Sequence, residues 1–254
     1  MNIYFLVEGK STEITLYPKW LKYLIPELKK VRYHDQVQKN NYYLISGEGY
    51  PNILSDHLDN AIDKINETNN YDYLVLCVDA DEQTVTQRQD DIINYIQESN
   101  INLGKTQLII IVQNRCLETW LLGNRKIFSY QKNPTSLLQY SGYPLSDYKK
   151  YYDVSQFDPE LMGNFDATRY NHAQFHEKYL KALFLANNTI YKKTKPGDAA
   201  KEFYLKEIIK RVETTNHLKT FESFLNFCKM IKNKIGSDLN IEKTIESVLT
   251  DPPQ

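Results

Sequence analysis

Apolar positions along this 254-residue chain follow two periods. Asn2 to Val7, Tyr73 to Val78, and Gln107 to Gln113 with Leu108-Ile109-Ile110-Ile111-Val112 inside it are continuous apolar runs of strand length. Runs of that kind predict strands buried on both faces. Asn41 to Ser46 is a shorter candidate strand, ending at the turn Gly47-Glu48-Gly49. Between the runs the period lengthens to that of a helix. Ile14, Tyr17, Leu21, Leu24 and Leu28 share one face, with Ser11 and Thr12 as cap oxygens and Glu13 in the first turn. Pro18 is expected to kink or split that helix and Pro26 to end it, with a polar loop over 29–41. Further helices are predicted from Asn52 to about Glu67 (Leu54, Leu58, Ile62, Ile65) and from about Val85 to Glu98, with Ile92, Ile93 and Ile96 inward. This alternation implies an α/β fold with a mostly parallel sheet and helices on both faces.

After Gln113 the pattern changes. Cys116 to Leu122 reads as a short helix closed by Gly123. Residues 124–170, with Pro134, Pro144 and Pro159, lose periodicity and are expected to be an irregular connector. Helical spacing returns at about 172–186. It appears again behind Asp198, taken as a cap, with Phe203, Leu205, Ile208, Ile209 and Val212, and once more at Phe221, Phe224, Leu225, Cys228 and Ile231. The expected organisation is therefore an α/β domain over 1–124, then a connector and mainly helical region over 125–254, frayed after about Thr250.

Charge adds an asymmetry that the net value of −1 hides. Residues 1–124 hold 17 acids and 11 bases, or −6; residues 125–254 hold 15 acids and 20 bases, or +5. An acidic half beside a basic one suits a metal site next to a region that grips a polyanion, and equally suits solvated helical faces. Cys77, Cys116 and Cys228 are three cysteines without paired spacing, which argues against disulfides and zinc knuckles and for a reducing compartment. No stretch approaches the length of a membrane span, so a cytoplasmic protein with no membrane partner is expected.

The candidate chemistry sits where strands stop. The first run ends at Glu8-Gly9 and the Tyr73 run at Asp79-Ala80-Asp81. Strand ends at the carboxyl edge of an open α/β sheet are where ligands bind. Glu8, Asp79 and Asp81 are accordingly expected to meet there around a divalent metal. In extended chain Asp79 and Asp81 would point the same way. Mg²⁺ takes oxygen ligands and usually only one or two carboxylates. Glu118 is either a fourth acid at this edge or a helix-surface acid. Glu13 reads as a first-turn acid that complements the helix dipole. Lys10 and the basic stretch Lys192, Lys193 and Lys195 are candidate phosphate contacts or solvated loop lysines. Gly9-Lys10-Ser11 is not a P-loop, because that motif needs a glycine where Tyr4 stands. His34, His57, His172, His176 and His217 form no strong metal pattern.

Val7-Glu8-Gly9-Lys10-Ser11-Thr12-Glu13, the later Asp79-x-Asp81 and the segment Cys116-Leu117-Glu118-Thr119-Trp120-Leu121-Leu122 together resemble the stand-alone TOPRIM proteins of the OLD and RloB-like group. Thr220-Phe221-Glu222-Ser223-Phe224-Leu225 is similar to an ending found in some members. The likeness covers residues 2–123 well and 199–231 weakly. It implies a Mg²⁺-dependent endonuclease, with Mn²⁺ able to substitute, acting on DNA or RNA in defence against phage. Catalysis would fall to Glu8, Asp79, Asp81 and Glu118, metal binding to Glu8, Asp79 and Asp81, and proton transfer to Glu8. The implied partners are nucleic acid, a partner ATPase or other defence protein, and a second copy of the chain. A non-catalytic partner subunit and primase-like nucleotidyl transfer are the alternatives.

Overall fold

The computed structural model describes residues 1–128 and 144–250, with the side chains of Phe128 and of residues 238–250 left aside. Positions 129–143, Pro134 among them, and the tail 251–254 lie outside the described residues. Five strands form one sheet: β1 (Asn2–Val7), β2 (Lys29–Lys30), β3 (Asn41–Ser46), β4 (Tyr73–Asp79) and β5 (Gln107–Gln113). Their order is β2-β3-β1-β4-β5, and every pairing is parallel. β1 lies in the middle, with Ile3 opposite both Tyr42 and Tyr73.

The sheet is covered on both faces, which is why its central strands lack polar alternation. Ile3, Phe5, Val7, Val75 and Cys77 face one core. It is built with α1 (Thr12–Leu24), α4 (Leu117–Leu121), α6 (His172–Ala186), α7 (Glu202–Thr214) and α8 (Lys219–Thr250). Tyr4, Leu6, Leu74, Leu76 and Val78 face the other core, under α2 (Asp59–Thr68) and α3 (Val85–Glu98). The chain thus leaves β1 toward one face, through α1, and leaves β4, its neighbour, toward the other, through α3. Diverging connections open a crevice at the carboxyl ends of these two strands.

Some expectations change. Pro18 lies inside an unbroken α1, held by the buried Leu16, Tyr17, Trp20 and Leu21 on either side of it. Ile93 is exposed rather than inward. The expected loop over 29–41 contains the edge strand β2. Within the expected connector, α5 (Leu145–Tyr151) forms behind Pro144 and buries Leu145 and Tyr148; two anchors in seven residues are too few to show a period. Asp198 does not cap α7. It lies in a single turn, Gly197–Ala200, and Lys201 occupies the cap position.

Candidate active site

Glu8 directly follows β1, and its backbone N–H still donates to the Cys77 carbonyl at 2.9 Å. The side chain therefore leaves the sheet at its edge. Its Oε2 accepts the Asp79 N–H at 2.9 Å. Asp79 is the last residue of β4 and sits opposite Gln113 of β5. Its Oδ1 is buried and has no hydrogen-bond partner. Burial, then the nearby Glu8, Glu13, Glu118 and Asp81, push the Asp79 carboxyl well above the usual range. Burial also raises Glu8, against the pull of the Asp79 N–H.

Glu13 joins them from the first turn of α1. It is 6 % exposed, and burial followed by the charge of Glu118 lifts it to about 7. Gly9 makes this position accessible, because a side chain there would fall on the Glu13 carboxylate. Glu118, 2 % exposed, arrives from α4, which starts just past the end of β5. Its Oε1 accepts the Tyr191 hydroxyl at 2.9 Å and lies 3.6 Å from Lys193 Nζ. Glu8, Glu13, Asp79 and Glu118 line one cavity of about 280 Å³, with Lys10 and Lys193 at its wall. A larger cavity of about 530 Å³ lies among Ile127, Phe184 and Phe203. Asp198 is its lone acid, so size does not identify the site.

Asp81 takes another direction. Its φ of +50° breaks the alternation that would aim it beside Asp79. Its carboxylate lies 3.5 Å from Arg88, whose guanidinium stacks 3.7 Å above the Tyr50 ring. The Asp81 N–H donates to the Arg115 carbonyl, and Arg115 Nη1 donates to the Asp81 carbonyl at 3.2 Å. Asp81 does not line the cavity that Asp79 lines. Burial raises its carboxyl, and Arg88 works against the rise.

The candidate phosphate contacts separate as well. Lys10 pairs with Glu48 at 3.1 Å on the surface. Lys192 and Lys195 form an antiparallel bridge and are exposed. Lys193 alone of these three turns inward, between Glu118 and Glu177. Thr12 Oγ1 donates to its carbonyl at 3.1 Å. Glu13, Tyr191, Glu177 and Arg88 belong to the site without having been singled out for it. Only Glu13 lies within a recognised motif, and a first-turn acid looks the same whether buried or solvated.

His176 is buried beneath α4, with Nδ1 2.6 Å from Thr119 Oγ1. Burial drives it down to about 3, so it is neutral. Thr119 Oγ1 in turn accepts the Arg115 and Cys116 N–H groups, which sets the start of α4. This histidine shapes the turn that presents Glu118.

Among the described residues, no three His, Cys, Asp or Glu side chains converge as a ready metal cage. Mg²⁺ does not require one, since it keeps waters and uses one or two carboxylates. A buried, partnerless Asp79 Oδ1 next to Glu8, in a cavity with too many acids to ionise together, has the donor chemistry of such an ion. Comparison of the chain with family models, curated proteins and solved structures finds no match.

Proposed function

We propose that the chain is a divalent-metal-dependent nuclease of the TOPRIM kind, hydrolysing phosphodiester bonds of DNA or RNA in defence against foreign nucleic acid. The observation that carries this reading is Asp79 at the carboxyl edge: its Oδ1 is a buried, unpaired carboxylate oxygen, and the residue lines the same cavity as Glu8, Glu13 and Glu118. Asp79 and Glu8 would hold Mg²⁺ or Mn²⁺, with Asp81 turning in from Arg88 as a further ligand. The ion supplies Lewis-acid stabilisation of charge on the phosphoryl oxygens and removes the cost of gathering acids. Glu8 is fixed through Oε2 and takes the proton of the attacking water at Oε1. Lys10, Lys192 and Lys195 meet the nucleic-acid backbone as point charges.

The test is incubation of the purified protein with plasmid, single strands and total RNA, in Mg²⁺, Mn²⁺ or chelator, beside the Asp79→Asn variant. Cleavage that chelator and Asp79→Asn both abolish is expected. Wild-type rates from Asp79→Asn would overturn the assignment. A second reading, a non-catalytic partner subunit, has one observation on its side: Asp81 is already paired with Arg88. Metal-independent capture of another protein with no cleavage would favour it.

A further inference from the structure

Resting on the metal reading above, we infer that Lys193 stands in the position of a second cation, so that this cavity takes one divalent ion and not two. The carboxylates divide into two groups by what already satisfies them. On the β4 side, Asp79 Oδ1 has no partner, and Glu8 has only backbone help, from the Asp79 N–H at Oε2 and from the Tyr50 backbone. On the α4 side, Glu118 Oε1 is engaged twice, by the Tyr191 hydroxyl and by the Lys193 ammonium. The same ammonium lies 3.4 Å from Glu177, whose other oxygen pairs with Lys181.

Lys193 is held there rather than merely near. Thr12, at the start of α1, binds its backbone carbonyl, and the Lys192–Lys195 bridge closes the turn around it. Its side chain is 52 % exposed, so it reaches in from the rim with its charge on the acids. Burial works against that charge, yet Glu118 and Glu177 outweigh it and hold the ammonium above its ordinary value.

Geometry then opposes a second ion. A Mg²⁺ ligated by Glu118 Oε1 at about 2.1 Å would sit at most about 5.7 Å from the ammonium, adding the 3.6 Å between the oxygen and Nζ. Two like charges would share the Glu118 carboxylate, whose Oε1 the Tyr191 hydroxyl also engages. Asp79 Oδ1 meets no such competitor.

Mn²⁺ binding measured by equilibrium dialysis and by electron paramagnetic resonance on the full chain decides the matter without reference to cleavage. Wild type is expected to bind one ion per chain, and Lys193→Arg also one. Lys193→Met and Lys193→Gln are expected to gain a second ion, which Glu118→Gln in the same chain removes; circular dichroism confirms that each variant is folded. Two ions on wild type, or one ion still on both folded neutral variants, would overturn the inference while leaving the metal reading in place. No ion on wild type would overturn the metal reading itself, and this inference with it.

Discussion

Gly9 and Glu13 act as a pair. Without a Cβ at position 9, the Glu13 carboxylate can fold back over the turn into the acid cavity. The atoms a methyl would meet are the far end of a flexible side chain. Gly9→Ala should therefore displace the carboxylate and leave the fold in place, shifting stability by less than about 1 kcal/mol. Mn²⁺ affinity and cleavage should both fall, and a wild-type affinity would show that Glu13 has no part in the site. Glu118→Gln keeps an acceptor for Tyr191 and removes the charge that Lys193 answers. Cleavage is expected to drop at least about tenfold, roughly 1.4 kcal/mol of barrier, with the melting temperature nearly unchanged; rates within a factor of about two would return Glu118 to a structural role. At this scale the sequence was half legible. Glu8 and Asp79 follow from strand ends, because a strand that stops must present its next side chain at the edge, whereas Glu118 read equally as an edge acid or a helix-surface acid. The direction of Asp81 did not follow, since a left-handed φ at an aspartate leaves no trace in composition. The burial of Glu13 was equally hidden.

Among the elements, the junction between the 153–161 segment and α8 depends on a buried acid. Glu160 accepts the Thr220 N–H at 3.1 Å and the Thr220 hydroxyl, which satisfies an orphan donor at the start of α8. Thr220 Oγ1 also accepts the Trp120 Nε1–H at 2.8 Å, so the cap reaches α4. Burial raises Glu160 from 4.5 to about 7, with the Thr220 bonds pulling the other way. The folded state thus binds its proton more tightly than the unfolded chain. Its contribution to stability is therefore greatest below about pH 4.5 and is lost as pH rises toward 7. Glu160→Gln should flatten that part of the stability–pH curve in urea titrations. A curve parallel to wild type between these values would show that Glu160 ionises freely. Elements of regular period, β1, β4 and α1 to α3, were plain in the sequence because both their faces or one long stripe are apolar; β5 reads the same way, yet at the sheet edge its Leu108, Ile109 and Ile110 are only half-buried. Pro18 and α5 were not. Core packing overrides the lost hydrogen bond at Pro18, and α5 is too short to repeat.

For the whole molecule, two long-range features matter. The basic turn lies at the rim of the acidic cavity, with Lys192 and Lys195 exposed and Lys193 turned in. Reversing only Lys192 and Lys195 should lower the salt slope of duplex binding by roughly 1.8, at about 0.9 per phosphate contact; an unchanged slope would make them solvated lysines. The second feature is the division at residue 124 read from the change of pattern. Periodicity reports which face of a helix is apolar and cannot report what covers it. The α8 side chains Phe221, Phe224, Phe227 and Ile231 share a core with Phe5 of β1 and Tyr73 of β4, and Phe227 meets both rings edge-on. Trp20 of α1 and Trp120 of α4 pack against Phe221 and Phe224 in the same core. Fully burying side chains of this size stabilises by roughly 1.5–3 kcal/mol each. Four of them supply about 6–12 kcal/mol, as much as the whole stability of an ordinary domain. A fragment ending at residue 124 would leave one face of β1 and β4 bare to water. Expressed alone, it is expected to show no cooperative thermal transition by circular dichroism and to aggregate, whereas the full chain melts as one unit. A fragment that melts sharply near the full chain's temperature would show that the sheet carries its own core.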